Sequence, residues 1–347
     1  MSGRALVVQT SFLGDTVLTT PLLAHLAERG LVDVVVTPAS APLLANNPAV
    51  GETIVYDKRG RDAGVAGFLR LARALRERRY GAAYLAQGSV RTGALAIAAG
   101  IPRRVGFVTS AGRHFYTERV AAPDNDHHAA RLLRLALDSD AEPATELLRP
   151  RLYPGRPERD AVDDLLRRAG AFGGPFVAMA PGSVWATKRW PYYADLAARL
   201  APQARIAVVG SSDDTELARA IDAATGGRAI DATGQLTLLA SAERIGRASV
   251  LITNDSAPLH LASAMGTPTI AVFGPTVPEF GFGPLAPRAA IAGRSELACR
   301  PCDRHGPRRC PLGHWRCMRE ITPEHVAALV HQLVLDPRPP ALPTPAP

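Results

Sequence analysis

Aromatic residues are scarce in this chain, at 5% of 347 residues. That argues against a protein whose main work is stacking on nucleobases. No apolar run is long enough to span a bilayer, and no signal-peptide-like hydrophobic segment follows the opening Met-Ser-Gly-Arg, so a cytoplasmic protein is expected. Cysteine is nearly absent. The four present, Cys299, Cys302, Cys310 and Cys317, fall in one short segment, which excludes a fold-wide disulfide framework. The first strand–helix turn, Thr10–Asp15 (TSFLGD), lacks G-x-G-x-x-G, which argues against a dinucleotide-dependent dehydrogenase.

What is abundant is positive charge. The formal net charge is +8 with a pI near 9.8, and arginine dominates the cations. An anionic partner is implied: a phosphorylated glycan, a nucleotide, a membrane surface or a nucleic acid. No recognised nucleic-acid-binding module appears, so a basic zinc-containing nucleic-acid-binding protein is the distant alternative.

Hydrophobic residues make up 47% of the chain and are arranged as strands alternating with amphipathic helices. Strands are expected over 4–9, 32–37, 52–57, 82–87 and 104–108, with helices over 16–29, 41–46, 68–79, 90–99 and 126–137. Residues 138–175 are punctuated by prolines and read as a linker with one connecting helix over 159–169. The alternation then restarts at 176–180 and runs to a last helix over 322–335. The fold class expected is α/β, with two doubly wound parallel-sheet domains of Rossmann-like type facing across a cleft. The boundaries expected are 1–150, a linker over 151–175, a second domain over 176–335 and a disordered proline-rich tail over 336–347.

The chain from Leu251 to Pro275, LITNDSAPLHLASAMGTPTIAVFGP, reads as strand, polar turn, short helix, glycine stop and strand. Asn254, Asp255 and Ser256 are helix N-cap types, Pro258 suits a first turn, and Gly266 can take the positive φ that ends a helix. A helix starting directly after a strand offers amides and the positive end of its dipole to an anion. Two other turns should share its sheet edge: Pro181-Gly182-Ser183 leading to Thr187, Lys188 and Arg189, and Gly210-Ser211-Ser212-Asp213. Hydroxyls, amides and cations in that company suit a diphosphate carrying a ring system. The alternatives are a solvated basic turn for Lys188 and Arg189, and a satisfied, half-buried histidine for His260.

In the first half, Asp15 is either the N-cap of the helix behind it or a general base for a hydroxyl nucleophile. Lys58, Arg59, Arg61, Arg103, Arg104, Arg113 and Arg131 lie on or near loops of that half and could together meet an anionic acceptor, or be separate surface charges. The cysteines supply four thiolates for a structural zinc, with His305 or His314 as substitutes. Reduced thiols or disulfides are the other readings.

Five segments carry a resemblance: VVQTSFLGDTVLTTPLL, PGSVWATKRWP, DATGQLTLLASAERI, TNDSAPLHLASAMGTPTIAVFGPT and the segment ending CMREITPEHV. In that order, and over nearly the whole chain to about residue 330, the sequence resembles the ADP-heptose:lipopolysaccharide heptosyltransferases of glycosyltransferase family nine, nearest to the heptosyltransferase II type. The resemblance implies a GT-B architecture with the acceptor on the first domain and the nucleotide sugar on the second. It implies inverting transfer, with no metal or other cofactor for catalysis, of heptose from ADP-L-glycero-β-D-manno-heptose to the phosphorylated, lipid-anchored inner core. The enzyme would then work peripherally at the inner face of the cytoplasmic membrane. Asp15 matches the family's proposed base, Lys188 a lysine on the donor phosphates, and Asp255, Ser256 and His260 the donor-binding D-[ST]-G-x-x-H pattern. Ser183, Thr187 and Gly210 complete the expected donor set, and Lys58, Arg59, Arg61 and Arg113 form the expected acceptor set. Ala257 departs from the pattern, standing where the glycine is expected, and the spacer between Cys302 and Cys310 is longer than expected.

Overall fold

Runs such as Leu6-Val7-Val8 and Val34-Val35-Val36 have no polar alternation, and each of these side chains is buried. Only a strand covered on both faces tolerates that, so a parallel sheet with helices on either side follows. The computed structural model describes residues 3–138 and 141–335 and divides between Tyr153 and Pro154 into two units. The expected tail over 336–347 lies outside the described residues.

The first unit contains β1 (Ala5–Gln9), α1 (Leu13–Ala27), β2 (Val32–Val36), β3 (Glu52–Val55), α2 (Gly64–Glu77), β4 (Ala82–Tyr84), α3 (Val90–Ala98), β5 (Arg103–Phe107), β6 (Glu118–Val120) and α4 (His128–Arg134). Its six strands pair in the order β3-β2-β1-β4-β5-β6, all parallel. Strand β6 is a short edge strand, Glu-Arg-Val, without the apolar run that would announce it in sequence.

The second unit begins with α5 (Arg156–Arg168), so the proline-punctuated stretch contributes a helix to this unit. There α5 packs on the helix over Leu238–Gly246, and Arg247 joins it through the Asp163 carboxylate. The elements that follow are β7 (Phe176–Ala180), α6 (Tyr193–Leu200), β8 (Arg205–Val208), α7 (Thr215–Ala224), β9 (Ile230–Asp231), α8 (Leu238–Gly246), β10 (Val250–Asn254), α9 (Ala257–Met265), β11 (Thr269–Phe273), β12 (Ala289–Gly293), α10 (Arg316–Arg319) and α11 (Pro323–Leu335). Strand order is β12-β11-β10-β7-β8-β9, again wholly parallel.

Each sheet therefore reverses direction of construction once, between β1 and β4 in the first unit and between β7 and β10 in the second. In doubly wound sheets a ligand enters beyond the carboxyl ends of the strands at that reversal. The expected catalytic, donor and acceptor residues stand beyond that carboxyl edge, after β1, β3 and β5 in the first unit and after β7, β8 and β10 in the second.

Helix α9 ends where its sequence requires. Gly266 sits at φ 76°, in the left-handed region, and its amide bonds back to the Ala262 carbonyl. Helix α1 begins earlier than expected. Phe12 is the residue before the first turn and Asp15 is the third helical residue, so the N-cap reading of Asp15 is corrected.

Candidate active site

At the reversal of the second sheet, the loops after β7 and β10 are tied together by Asn254. This buried residue donates through Nδ2 to the carbonyl oxygens of Pro181 (2.8 Å) and Gly182 (3.2 Å). Its Oδ1 accepts from the Trp190 amide (3.1 Å) and the Tyr193 hydroxyl (3.3 Å). Sequence pattern places Asn254 among helix caps; the fold makes it the last residue of β10 and the clamp on the neighbouring loop.

Lys188 and Asp255 then meet. The ammonium nitrogen lies 2.6 Å from Asp255 Oδ2, and both side chains are 11% exposed. The same oxygen accepts from the Thr276 hydroxyl at 2.7 Å, a partner nothing in the local sequence announces. Thr187 donates to the Pro307 carbonyl, and Gly306, at φ +87°, brings its backbone against the Lys188 stem. The cysteine-containing segment thus backs the lysine. Its positive φ favours glycine, and a Cβ there would stand 3.1 Å from Lys188 Cε, closer than ordinary contact.

Ser256 precedes α9 in extended conformation but does not cap it; its hydroxyl turns back to the Asn254 carbonyl (3.4 Å). In the first turn of α9, which begins at half-buried Ala257, Pro258 has no amide hydrogen and the Leu259 amide bonds back to the Ser256 carbonyl (3.0 Å), so the Ser256 and Ala257 amides are those at the helix start. His260, one turn in, is buried with its ring edge-on to Phe282 at 6.2 Å. Beside these, Gly182 and Gly210 enclose the Asp214 carboxylate. A Cβ on Gly182 would lie 2.2 Å from Asp214 Oδ1, and one on Gly210 would lie 2.8 Å from Oδ2. Asp214 in turn accepts from the Ser211 amide (2.9 Å) and hydroxyl (3.0 Å), holding the loop after β8. Ser183 Oγ accepts weakly from the Trp185 amide, while its carbonyl takes Arg189 Nε. Arg189 is thus spent on the loop's own backbone.

In the first unit, the Asp15 carboxylate accepts from the Phe12 amide (3.3 Å), and the Asp15 carbonyl is bonded by Thr19, itself held by Gln9 of β1. Its other oxygen faces His128 Nε2 at 3.7 Å. Lys58 turns inward from the loop after β3. Its ammonium donates to the Thr10 carbonyl at 2.8 Å, and burial, then Arg59 and Arg91, push its pKa below the ordinary lysine value. The chain has two lysines, Lys58 and Lys188, and the fold draws both partly inside at a sheet edge. Arg59 and Arg61 are exposed, with Arg61 on Asp62. Arg113 is exposed after β5, near the Ser110 carbonyl. Arg103 pairs with Glu118, and Arg104 donates to the Ile101, Pro102 and Phe115 carbonyls, so these two serve the fold; Arg131 is buried in α4.

The family model for glycosyltransferase family 9 (heptosyltransferase) matches residues 68–314. The chain belongs to glycosyltransferase family 9. Among proteins similar to this family 9 chain, lipopolysaccharide heptosyltransferase 2 of Escherichia coli K12 is 27% identical, covering 96% of this chain and 99% of that one. The solved structure of E. coli ADP-heptose LPS heptosyltransferase II superposes with a TM-score of 0.77 at 26% identity, over 96% of this chain and 98% of the other. A family 9 glycosyl transferase from Veillonella parvula shares the fold with a TM-score of 0.84 at 23% identity, over 96% and 98% of the two chains. The two parallel-sheet units are thus those of the GT-B heptosyltransferase structures.

The four cysteines of this family 9 chain are free thiols, which removes the disulfide reading. Among the described residues, no three Cys, His, Asp or Glu side chains converge as a metal-ligand set. Cys299 Sγ lies 4.0 Å from His314 Nε2, and Cys302 Sγ is directed at the Cys299 carbonyl (3.2 Å). As they stand, these side chains do not fit a tetrahedral metal.

Proposed function

We propose that this family 9 enzyme transfers heptose, with inversion, from ADP-L-glycero-β-D-manno-heptose to the phosphorylated inner core of lipopolysaccharide. The single observation that carries the donor side is the Lys188–Asp255 pair beside the start of α9 at the sheet reversal. Such a lysine is held in place and partly shielded from water. A diphosphate arriving at the first turn of α9 would share it with Asp255. The negative charge that develops on departing ADP would then be stabilised by Lys188 and the Ser256 and Ala257 amides. No metal has a part in this step. Ser183, Thr187, Gly210 and His260 shape the surrounding donor pocket.

The acceptor side rests on Asp15. Its carboxylate takes the proton of the acceptor hydroxyl as that oxygen forms the bond to the anomeric carbon; the bond from that carbon to the phosphate oxygen breaks on the opposite face. Lys58, Arg59, Arg61 and Arg113 stand on loops after β3 and β5, at the carboxyl edge that also carries Asp15, where an acceptor rich in phosphate and carboxylate is met. None of the described helices is long and apolar enough to cross a membrane. Contact with the lipid-anchored acceptor is accordingly assigned to the basic first unit, from the cytoplasmic side.

A structural zinc on Cys299, Cys302, Cys310 and Cys317 belongs to the same reading. Coordination requires these side chains to re-aim, and metal analysis of the purified protein decides it: a stoichiometric metal lost in Cys→Ser variants supports it, and a metal-free folded enzyme rejects it.

The deciding experiment is transfer from ADP-heptose to defined inner-core acceptors. Turnover supports the assignment. Preference for a UDP- or GDP-sugar in a panel read by protection against thermal unfolding would place the enzyme elsewhere within family 9.

A further inference from the structure

We propose that His128 is the positioning residue for Asp15, an inference that rests on Asp15 being the base. The two side chains come from the first residue of α4 and the first turn of α1, and Nε2 faces Oδ1 at 3.7 Å. The other carboxylate oxygen is already engaged by the Phe12 amide. With Nε2 protonated, the ring donates to Oδ1. The carboxylate then has both oxygens oriented, with lone pairs left for an incoming hydroxyl. Hydrogen bonds of this kind are often long before substrate binds and shorten in the reacting complex.

Three observations separate this from an incidental contact. First, the adjacent His127 already caps α4, its Nδ1 accepting from the Ala129 amide at 3.1 Å, so His128 is not needed there. Second, the pair lies at the rim, with side chains 19% and 17% exposed, where solvent and substrate reach it. Third, the two helices are locked. Helix α4 packs on α1 through buried Ala129, Leu132 and Leu133, and Arg29 at the far end of α1 donates to the Ala136 carbonyl at 3.3 Å. Such a frame keeps the carboxylate and the imidazole facing each other.

The proton balance is unchanged: the acceptor hydroxyl proton goes to Asp15, and His128 keeps its own. What His128 supplies is orientation, in the way an outer partner fixes a reacting group.

The test compares H128A, H128Q, D15N and D15N/H128A in the full-length enzyme, with ADP-heptose and inner-core acceptor. H128A should lower kcat about 10- to 100-fold with donor KM unchanged. H128Q, whose amide nitrogen can donate in place of Nε2, should recover most of the rate. In the D15N background, H128A should cause no further loss of the residual rate. Wild-type kcat in H128A overturns the proposal. So does full additivity in the double variant, or an equal loss in H128A and H128Q that follows a fall in Tm. Full activity in D15N overturns the reading of Asp15 itself; an impaired D15N beside an unaffected H128A overturns only the role of His128.

Discussion

Lys188 and Asp255 are joined at 2.6 Å across two loops that leave different strands of the second sheet. The pair holds the lysine next to a helix start, and Thr276 donates to the same carboxylate. Nothing in either loop alone requires this contact; the adjacency of β7 and β10 creates it.

Lys188→Ala should therefore raise the donor KM about 10- to 100-fold, the loss of one charge-assisted contact to phosphate. Asp255→Asn should weaken ADP less, since the lysine stays but is no longer oriented. Calorimetric titration with ADP checks both, and unchanged affinity in Lys188→Ala would remove the lysine from the donor site.

Asp15→Asn preserves shape and the amide contact but not basicity. It should reduce kcat by about 100- to 10,000-fold. ADP binding should be unaffected, because every donor residue named here belongs to the second unit. A variant that loses ADP affinity in parallel with activity would speak against a base.

Gly182→Ala places a methyl group 2.2 Å from Asp214 Oδ1 in a loop already clamped by Asn254. The expected cost is about 1–3 kcal/mol in urea denaturation, with weakened ADP binding as the loop shifts. Gly174→Ala is the control, since its nearest neighbour is the Ala171 carbonyl at 3.9 Å.

Arg244 is fully buried and donates to the carbonyls of Val208 (3.0 Å) and Ile230 (2.7 Å), at the ends of β8 and β9. Burial pushes its pKa down to about 10, against the attraction of Asp231, so it is charged at neutral pH. Arg244→Met should destabilise the enzyme by about 2–3 kcal/mol by leaving those carbonyls without this donor. Denaturant midpoints measure it, and an unchanged midpoint would show that other groups already satisfy the strand ends.

Much was legible before any coordinates. The alternation of continuous apolar strands with amphipathic helices required two doubly wound sheets, because apolar runs and period-3.6 patterns are local properties of the chain. The glycine stop at Gly266 was readable for the same reason: only a residue without Cβ takes that φ cheaply. The short edge strands β6 and β12 were not, because Glu-Arg-Val and Ala-Ala-Ile-Ala-Gly carry little β pattern of their own and are placed by pairing with β5 and β11. Nor was the start of α1, whose first turn looks polar until Asp15 is seen bonding back to Phe12.

By itself, then, the sequence determined the fold class, the ordered family motifs and which loops could hold an anion, all of which depend on neighbours in the chain. Tertiary structure alone decided that Lys188 is held by Asp255, that Asn254 clamps the Pro181–Gly182 turn, that Asp214 fills the space left by two glycines, and that Asp15 has His128 for a neighbour. The reason is physical. Those pairs join residues far apart in sequence, and their meeting is set by strand order and helix packing, which no local pattern of residues encodes.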